Sequence, residues 1–109
     1  MKAAMKTPRA KTAQPRLTKY LLRLYVSRST MKSKVAVDNI QRMCEEHLKG
    51  RYNLEVIDIH DHAQLARDEQ IVAVPTLIKR LPAPLARLVG DMSDLDKVLF
   101  GLDLKVRIS

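Results

Sequence analysis

The sequence has little of the chemistry on which many enzymes depend. It holds one cysteine, three glycines and no tryptophan, and aromatic residues make up 4% of its 109 residues. A lone Cys44 excludes an internal disulfide and a cysteine-pair site for zinc or redox work. Three dispersed glycines cannot build a phosphate-binding loop, and no serine lies in a nucleophile elbow. The sparse aromatics offer no stacking platform for nucleic acid.

Long apolar runs are also missing. No stretch approaches the ~20 residues that span a bilayer, and no secretory signal is visible. Together with the unpaired cysteine, this predicts a protein of the reducing cytoplasm. Hydrophobic residues still make up 46% of the chain, which is enough for one domain with a modest core.

Acidic residues are absent from the first 17 positions, which supply five of the basic residues behind the net charge of +8. Pro8 and Pro15 interrupt this segment, and it has no periodicity. We expect a disordered basic tail over residues 1–17 and a folded domain over residues 18–109. The tail could bind nucleic acid or an acidic partner. Short like-charged tails are usually only solvated, so nucleic-acid binding is not the leading interpretation.

The first half of the domain predicts a strand, a helix and a second strand. "KYLLRLYV" (19–26) is apolar on both faces, as in a buried strand. Apolar residues then recur at helical spacing up to Leu48, and Gly50 is suited to end that helix. "YNLEVIDI" (52–59) is the second strand. Two strands joined by a helix of about 16 residues should be parallel.

The sequence of the second half of the domain leaves part of its secondary structure open. Asp61 and Gln64 have the spacing of a capping box for a short helix within residues 60–70, and Ser93 and Asp96 have the same spacing at the start of a last helix over 93–104. "LARLVG" (85–90) fits a helix and a strand equally well.

Three prolines punctuate the most strand-like stretch, "IVAVPTLIKRLPAP" (71–84). Proline cannot donate to a strand ladder, so Pro75, Pro82 and Pro84 should keep the pairing here short. Thioredoxin-like folds place a cis-proline at a position like "Val74-Pro75-Thr76". An ordinary trans-proline at a strand start fits equally well. A Cys-x-x-Cys motif is absent after the first strand, so such a scaffold would lack redox chemistry.

One cluster has the character of metal ligands: Asp58, His60, Asp61 and His62. A hard or borderline metal could use such groups. Because alternate residues at a strand end point to different sides, polar loop caps are the favoured interpretation. No metal and no cofactor are therefore expected.

At the level of whole motifs the sequence resembles the KaiB family of the bacterial circadian clock. The resemblance rests on "LYVS", "YNLEVIDI", "QLARDEQIVAVPTLIKRLPAPLARLVGDMSD" and "VLFGLDL", in order across residues 19–104. It implies a non-catalytic protein that docks on the N-terminal ATPase ring of KaiC, a hexameric RecA-like protein. It also implies two folds: a βαββααβ ground state that forms dimers or tetramers, and a thioredoxin-like βαβαββα monomer that binds KaiC. The βαβ half is common to both.

Matching positions give two sets of candidate residues. The docking set comprises Arg23, Gln64, Gln70, Val74, Pro75 and Thr76. The fold-switch set comprises Pro82, Pro84, Gly90, Asp91, Gly101 and Asp103. Plain turn and cap chemistry is the alternative explanation for all of them.

The sequence departs from the family pattern at several positions. The usual AGxTPxS loop reads "SRSTMKS", LPPP reads "LPAP", and Val35 and Glu55 replace residues that are usually basic. These changes put a surface for KaiA, the third clock component, in doubt. They suggest a divergent member acting in circadian or stress signalling. A second hypothesis is a sensor module resembling the N-terminal domain of SasA, which does not switch fold. "LPAP" and "GLDL" favour KaiB over this module.

Overall fold

The computed structural model describes residues 19–102. The predicted basic tail and the candidate Asp103 lie outside this range. The elements in chain order are β1 (Tyr20–Val26), α1 (Met31–His47), β2 (Tyr52–Asp58), α2 (Ala63–Asp68), β3 (Thr76–Leu81), β4 (Ala86–Val89) and α3 (Leu95–Gly101). The four strands form one sheet in the order β2-β1-β3-β4.

Strand β1 lies inside the sheet and is apolar on both faces, as its sequence predicts. Leu22 and Leu24 are fully buried in the larger core cluster, and Tyr25 is fully buried in the smaller one on the opposite face. Helices α1 and α3 contribute to the larger cluster, while α2 contributes to the smaller one. Strand β2 pairs with β1 in parallel, which confirms the predicted βαβ half.

The helix starts differ slightly from those expected from sequence. Thr30 caps α1, and its side chain accepts a hydrogen bond from the Ser33 amide. The capping boxes predicted for the other two helices are wrong. His62, without a side-chain cap bond, precedes α2, and Asp94 caps α3 by accepting from the Lys97 amide. Asp61 is unavailable as a cap because its carboxylate pairs with the guanidinium of Arg28 at 2.8 Å.

The prolines bound the strands of the second half. Strand β3 begins directly after Pro75 and ends directly before Pro82, and β4 begins two residues after Pro84. The peptide bonds before all three prolines are cis. Strand β3 has six residues and β4 has four, so the strand pairing in this stretch is short.

The undecided segment "LARLVG" is mostly strand. Residues 86–89 form β4 and pair antiparallel with β3, which pairs antiparallel with β1. Ala86 and Leu88 pack against the larger core cluster, while Leu85 and Val89 are more than half exposed. The second half therefore adopts the thioredoxin-like βαβαββα order rather than the ground-state alternative.

Candidate functional site

A cluster of charged side chains lies where the end of α2 meets the sheet. We call it the Glu69 cluster; it comprises Arg23, Tyr25, Glu55, Glu69 and Arg80. One Glu69 oxygen accepts from Arg23 Nη1 at 2.8 Å and also from the Tyr25 hydroxyl. The other oxygen accepts from Arg80 Nη1. Arg23 Nε donates to Glu55 at 2.9 Å. The carboxylate of Glu69 is thus held from two strands at once.

Strand geometry places these groups together. Arg23 and Tyr25 are two residues apart on β1, so they point to the same face of the sheet. Arg23 lies opposite Glu55 of β2 and opposite Ile78 of β3. Arg80 follows Ile78 by two residues on β3. The side chains of Arg23 and Glu69 are only 17% and 15% exposed, so their ion pair is partly shielded from water.

Burial and hydrogen bonding act in opposite directions on Glu69. Burial raises the pKa of the carboxyl group, but the hydrogen bonds from Tyr25 and Arg23 and the charge of Arg80 outweigh it. The net result is a pKa below the ordinary value of 4.5. Burial and the neighbouring carboxylate of Glu69 both raise the pKa of Tyr25. At neutral pH Glu69 is therefore a carboxylate and the Tyr25 hydroxyl keeps its proton.

The depressed pKa of Glu69 predicts acid sensitivity. A carboxyl group with a lower pKa in the folded state stabilises the fold above its unfolded value near 4.5, and this contribution is lost as the pH falls through the folded pKa. The Glu69→Gln variant should therefore lose stability less steeply than the wild type below about pH 4.5. Urea unfolding at pH 7, 4 and 3 measures both slopes. Equal slopes would contradict the role of Glu69.

The docking candidates lie along α2 and the loop that follows it. Gln64 is exposed on α2 and donates only to Asp68 within that helix, at 2.7 Å. Gln70 lies two residues after the last residue of α2 and has a left-handed φ of 58°. Val74 is half-buried, and Pro75 and Thr76 are buried. Arg23, the sixth candidate, belongs to the Glu69 cluster at the C-terminal end of α2.

Thr76 has a structural role at the start of β3. Its hydroxyl donates to the carbonyl of Ala73 at 2.6 Å, and the carbonyl of Pro75 accepts from the Gly90 amide at 3.0 Å. These bonds fix the loop in front of β3. Thr76 is too buried to contact a partner through its own side chain, and α2 presents the accessible part of the docking set.

The fold-switch candidates are spread over turns. Pro82 and Pro84 lie in the turn between β3 and β4, and Gly90 follows β4 with a left-handed φ of 134°. The Asp91 side chain accepts from the Ser93 amide, and its carbonyl accepts from Asn39 Nδ2 at 2.9 Å. Gly101 is the last residue of α3. Turn and cap chemistry accounts for the local contacts of Gly90 and Asp91.

The suspected metal ligands act as loop contacts. Asp58 accepts from the amides of Arg28 and His60, and Asp61 pairs with the Arg28 guanidinium. His60 Nε2 lies 3.2 Å from the Ser27 hydroxyl. Within residues 19–102, no group of three or more histidines, cysteines and carboxylates could hold a metal ion.

Redox chemistry has no suitable thiol in the described residues. Cys44 is fully buried in the larger core cluster. Burial, together with the neighbouring charge of Glu45, raises the pKa of the thiol to about 12. A protonated, inaccessible thiol is a poor nucleophile.

The predicted docking set contains Arg23 but not its partner Glu69, although the sequence carries a signal that Arg23 needs a counter-charge. Arg23 lies within an otherwise apolar stretch, "LLRLYV", and Arg80 lies beside Lys79 in the strand "TLIKRL". A charge inside a strand with two covered faces needs a counter-charge, since unpaired buried charges are costly. The acid that pairs with them, Glu69, is 46 residues from Arg23 and could not be singled out from spacing.

Solved structures place the fold in the thioredoxin-like class. The N-terminal domain of Synechococcus elongatus SasA aligns over 98% of this chain and 100% of that one, with a TM-score of 0.68 and 22% identity. The thioredoxin Deadhead of Drosophila melanogaster aligns over 79% of this chain and 80% of that one, with a TM-score of 0.64 and 15% identity. Identities this low support the fold alone.

Sequence comparison gives the family within that class. The KaiB domain model matches residues 23–104. Circadian clock protein KaiB3 of Synechocystis sp. is 47% identical over 88 residues, which cover 81% of this chain and 86% of that protein. Circadian clock oscillator protein KaiB of Prochlorococcus marinus (strain MIT 9211) is 48% identical over 90 residues, covering 83% and 78%. The chain belongs to the KaiB family, a family of circadian clock proteins.

No helix among residues 19–102 is long and apolar enough to cross a membrane.

Proposed function

We propose that this chain is a non-catalytic regulatory subunit that docks on a KaiC-type hexameric ATPase and modulates its cycle, in circadian or stress signalling. The observation that carries the proposal is the βαβαββα order of the chain, combined with its membership of the KaiB family. The family resemblance associates this order with the ATPase-binding form. The proposed docking surface is the exposed side of α2 with the loop up to Pro75.

The Glu69 cluster holds this docking surface against the sheet. The carboxylate of Glu69 ties the end of α2 to β1 and β3, and Arg87 donates to the backbone carbonyls of Glu69 and Gln70 at 2.8 and 3.0 Å. A helix of six residues has little stability of its own, so these contacts hold α2 in place. A docking helix that is fixed before binding loses less conformational entropy when the complex forms.

Gln64 offers the clearest test of the surface. Its side chain is exposed and bonds only within α2, so Gln64→Ala should leave the fold intact. We expect this change to weaken binding to the ATPase about fivefold, which corresponds to ~1 kcal/mol. Surface plasmon resonance with immobilised ATPase measures the affinity. Arg42→Ala, on α1 and across the sheet from α2, is the control and should bind as the wild type does. If the Gln64→Ala and Arg42→Ala variants bound the ATPase with equal affinity, the proposed place of α2 in the interface would be contradicted.

Fold switching belongs to the same proposal. We propose that the thioredoxin-like form exchanges with a ground state of dimers or tetramers, and that the ATPase binds the monomer. A partner shifts such an exchange only by its differential affinity for the two forms. Pro82, Pro84, Gly90, Asp91, Gly101 and Asp103 are the proposed switch positions. A SasA-like sensor module is less well supported, because the KaiB model match extends through the second half of the domain.

A substitution at Gly101 tests the proposed exchange between the thioredoxin-like form and the ground state. The residue ends α3, and a Cβ there would meet only Leu88 Cδ1, at an ordinary 3.5 Å. Gly101→Ala should therefore stabilise the thioredoxin-like form by about 0.5–1 kcal/mol. If the other form competes, affinity for the ATPase should rise up to about fivefold. Urea unfolding and surface plasmon resonance measure the two effects. Gly50→Ala, at a φ of 77°, should instead destabilise the fold. A stabilised Gly101→Ala variant with unchanged affinity would contradict binding-linked switching.

A further inference from the structure

Strand β4 closes one side of the sheet. It pairs with β3, and the sheet order places no described strand beyond it. Its outward row of backbone N–H and C=O groups is therefore available for pairing with another extended segment. Proteins usually protect such an edge with charge, proline or a covering element, because an open edge is a template for a further strand.

The side chains on this edge form an alternating ridge, which we call the β4 ridge: Leu85, Arg87 and Val89. Residues two apart share a face of the strand. Leu85 and Val89 are 66% and 54% exposed, and Arg87 between them is exposed as well. The intervening Ala86 and Leu88 turn inward to the larger core cluster. The ridge therefore presents an apolar, a basic and an apolar side chain in succession.

Arg87 differs from the other two arginines on its side of the sheet. Arg23 and Arg80 pair with the carboxylate of Glu69, whereas Arg87 donates to two backbone carbonyls. Among the described residues no carboxylate forms an ion pair with Arg87. The two carbonyl bonds hold the guanidinium in place, and neither of them neutralises its positive charge. A ligand carboxylate placed beside Arg87 would form an ion pair with its guanidinium.

We propose that the β4 edge accepts an extended segment of a partner protein, with an acidic residue facing Arg87 and apolar residues two positions before and after it. The segment would add a fifth strand to the sheet, with backbone bonds giving affinity and the ridge giving sequence preference. The proposal does not require docking through α2, although Arg87 also contacts the two residues that follow that helix.

Charge complementarity favours an acidic partner segment over the terminal segments of this chain. Residues 1–18 contain basic residues and no acid, and residues 103–109 contain Lys105 and Arg107 against Asp103. Either segment would place mainly positive charge near Arg87. A second copy that paired its own β4 with this edge would bring a second Arg87 to the same ridge. An acidic, apolar segment is the complementary choice.

Two capped pentapeptides, in which the valines share a strand face with the central charged residue, test the proposal: Val-Thr-Glu-Thr-Val and its counterpart Val-Thr-Lys-Thr-Val. Each is titrated into the ¹⁵N-labelled full chain while backbone amide shifts are followed. We expect the glutamate peptide to shift the amides of residues 85–90 and to bind at least fivefold more tightly than the lysine peptide. Absence of shifts at residues 85–90, or equal binding of the two peptides, would overturn the proposal.

Charge reversal provides the control. Arg87→Glu should reverse the peptide preference, whereas Arg42→Glu, an equal charge change on α1, should leave it unchanged. If Arg87→Glu does not fold, Arg87→Gln replaces it and should abolish the preference. A preference that survives the change at Arg87 would contradict the ridge as the site. Amide shifts at residues 85–90 that depend on protein concentration without peptide would identify a second copy as the occupant and also overturn the proposal.

Discussion

Replacing Glu69 by alanine should lower the free energy of unfolding by about 3 kcal/mol. The carboxylate accepts hydrogen bonds from Arg23, Tyr25 and Arg80 and is only 15% exposed. Its removal leaves the partly buried guanidinium of Arg23 with Glu55 alone and frees the hydroxyl of Tyr25. Removing one member of a buried charged network typically costs about 3–5 kcal/mol, and partial exposure of Arg80 places this site at the lower end. Urea unfolding at pH 7 measures the change.

Glu45 supplies a matched control for that variant. It also accepts a hydrogen bond from a tyrosine, the hydroxyl of Tyr52, but Glu45 and this bond are exposed to solvent. The Glu45→Ala variant should therefore change the free energy of unfolding by less than about 1 kcal/mol. If the two glutamate variants were equally stable, the Glu69 cluster would not be the tie between α2 and the sheet that the structure indicates.

Truncation of Leu77 should have an effect at least as large. Leu77 lies in β3 with its side chain fully buried in the larger core cluster, between β1 and β4. Leu→Ala changes at such sites cost about 2.5–5 kcal/mol, because the lost contacts and the remaining cavity both destabilise the fold. Thermal unfolding monitored by circular dichroism, together with urea titration, measures the loss.

Leu81 is the control for this prediction because it belongs to the same strand. Its side chain is 56% exposed at the end of β3, so Leu81→Ala should cost less than about 1 kcal/mol. The comparison tests the placement of β3 in the thioredoxin-like arrangement. Similar losses for the two variants would mean that β3 has a different environment in solution.

The βαβ half could be read from sequence because its signals are local. Apolar residues at strand and helix spacing predict β1 and β2 to within one residue and the end of α1 near Leu48, and the parallel pairing follows from the length of the crossover. Family resemblance supplied the remaining element order and offered two possibilities for it. The structure has one of these, the thioredoxin-like order.

The second half depends on contacts between distant residues. "LARLVG" has no preference of its own, and it becomes a strand because β3 offers a partner and the larger core cluster accepts Ala86 and Leu88. The capping residues of α2 and α3 were misplaced by one position, because several neighbouring polar residues can serve as caps.

The candidate sites divide in the same way. Resemblance supplied Gln64, Gln70 and Arg23 as docking positions, yet it gave no indication of how α2 is held. The contacts of Glu69 with Arg23 and Arg80 join residues from three elements. Arg87 gained its distinct character from two backbone carbonyls that only the folded chain brings near.

Size-exclusion chromatography with light scattering tests the central proposal most directly. The full chain is run alone, then with a KaiC-type hexameric ATPase in ATP and in ADP. We expect the chain to co-elute with the hexamer in at least one nucleotide state, with a mass larger than that of the ATPase alone. Absence of a complex in both nucleotides, with a folded chain and an active ATPase, would contradict the proposed function.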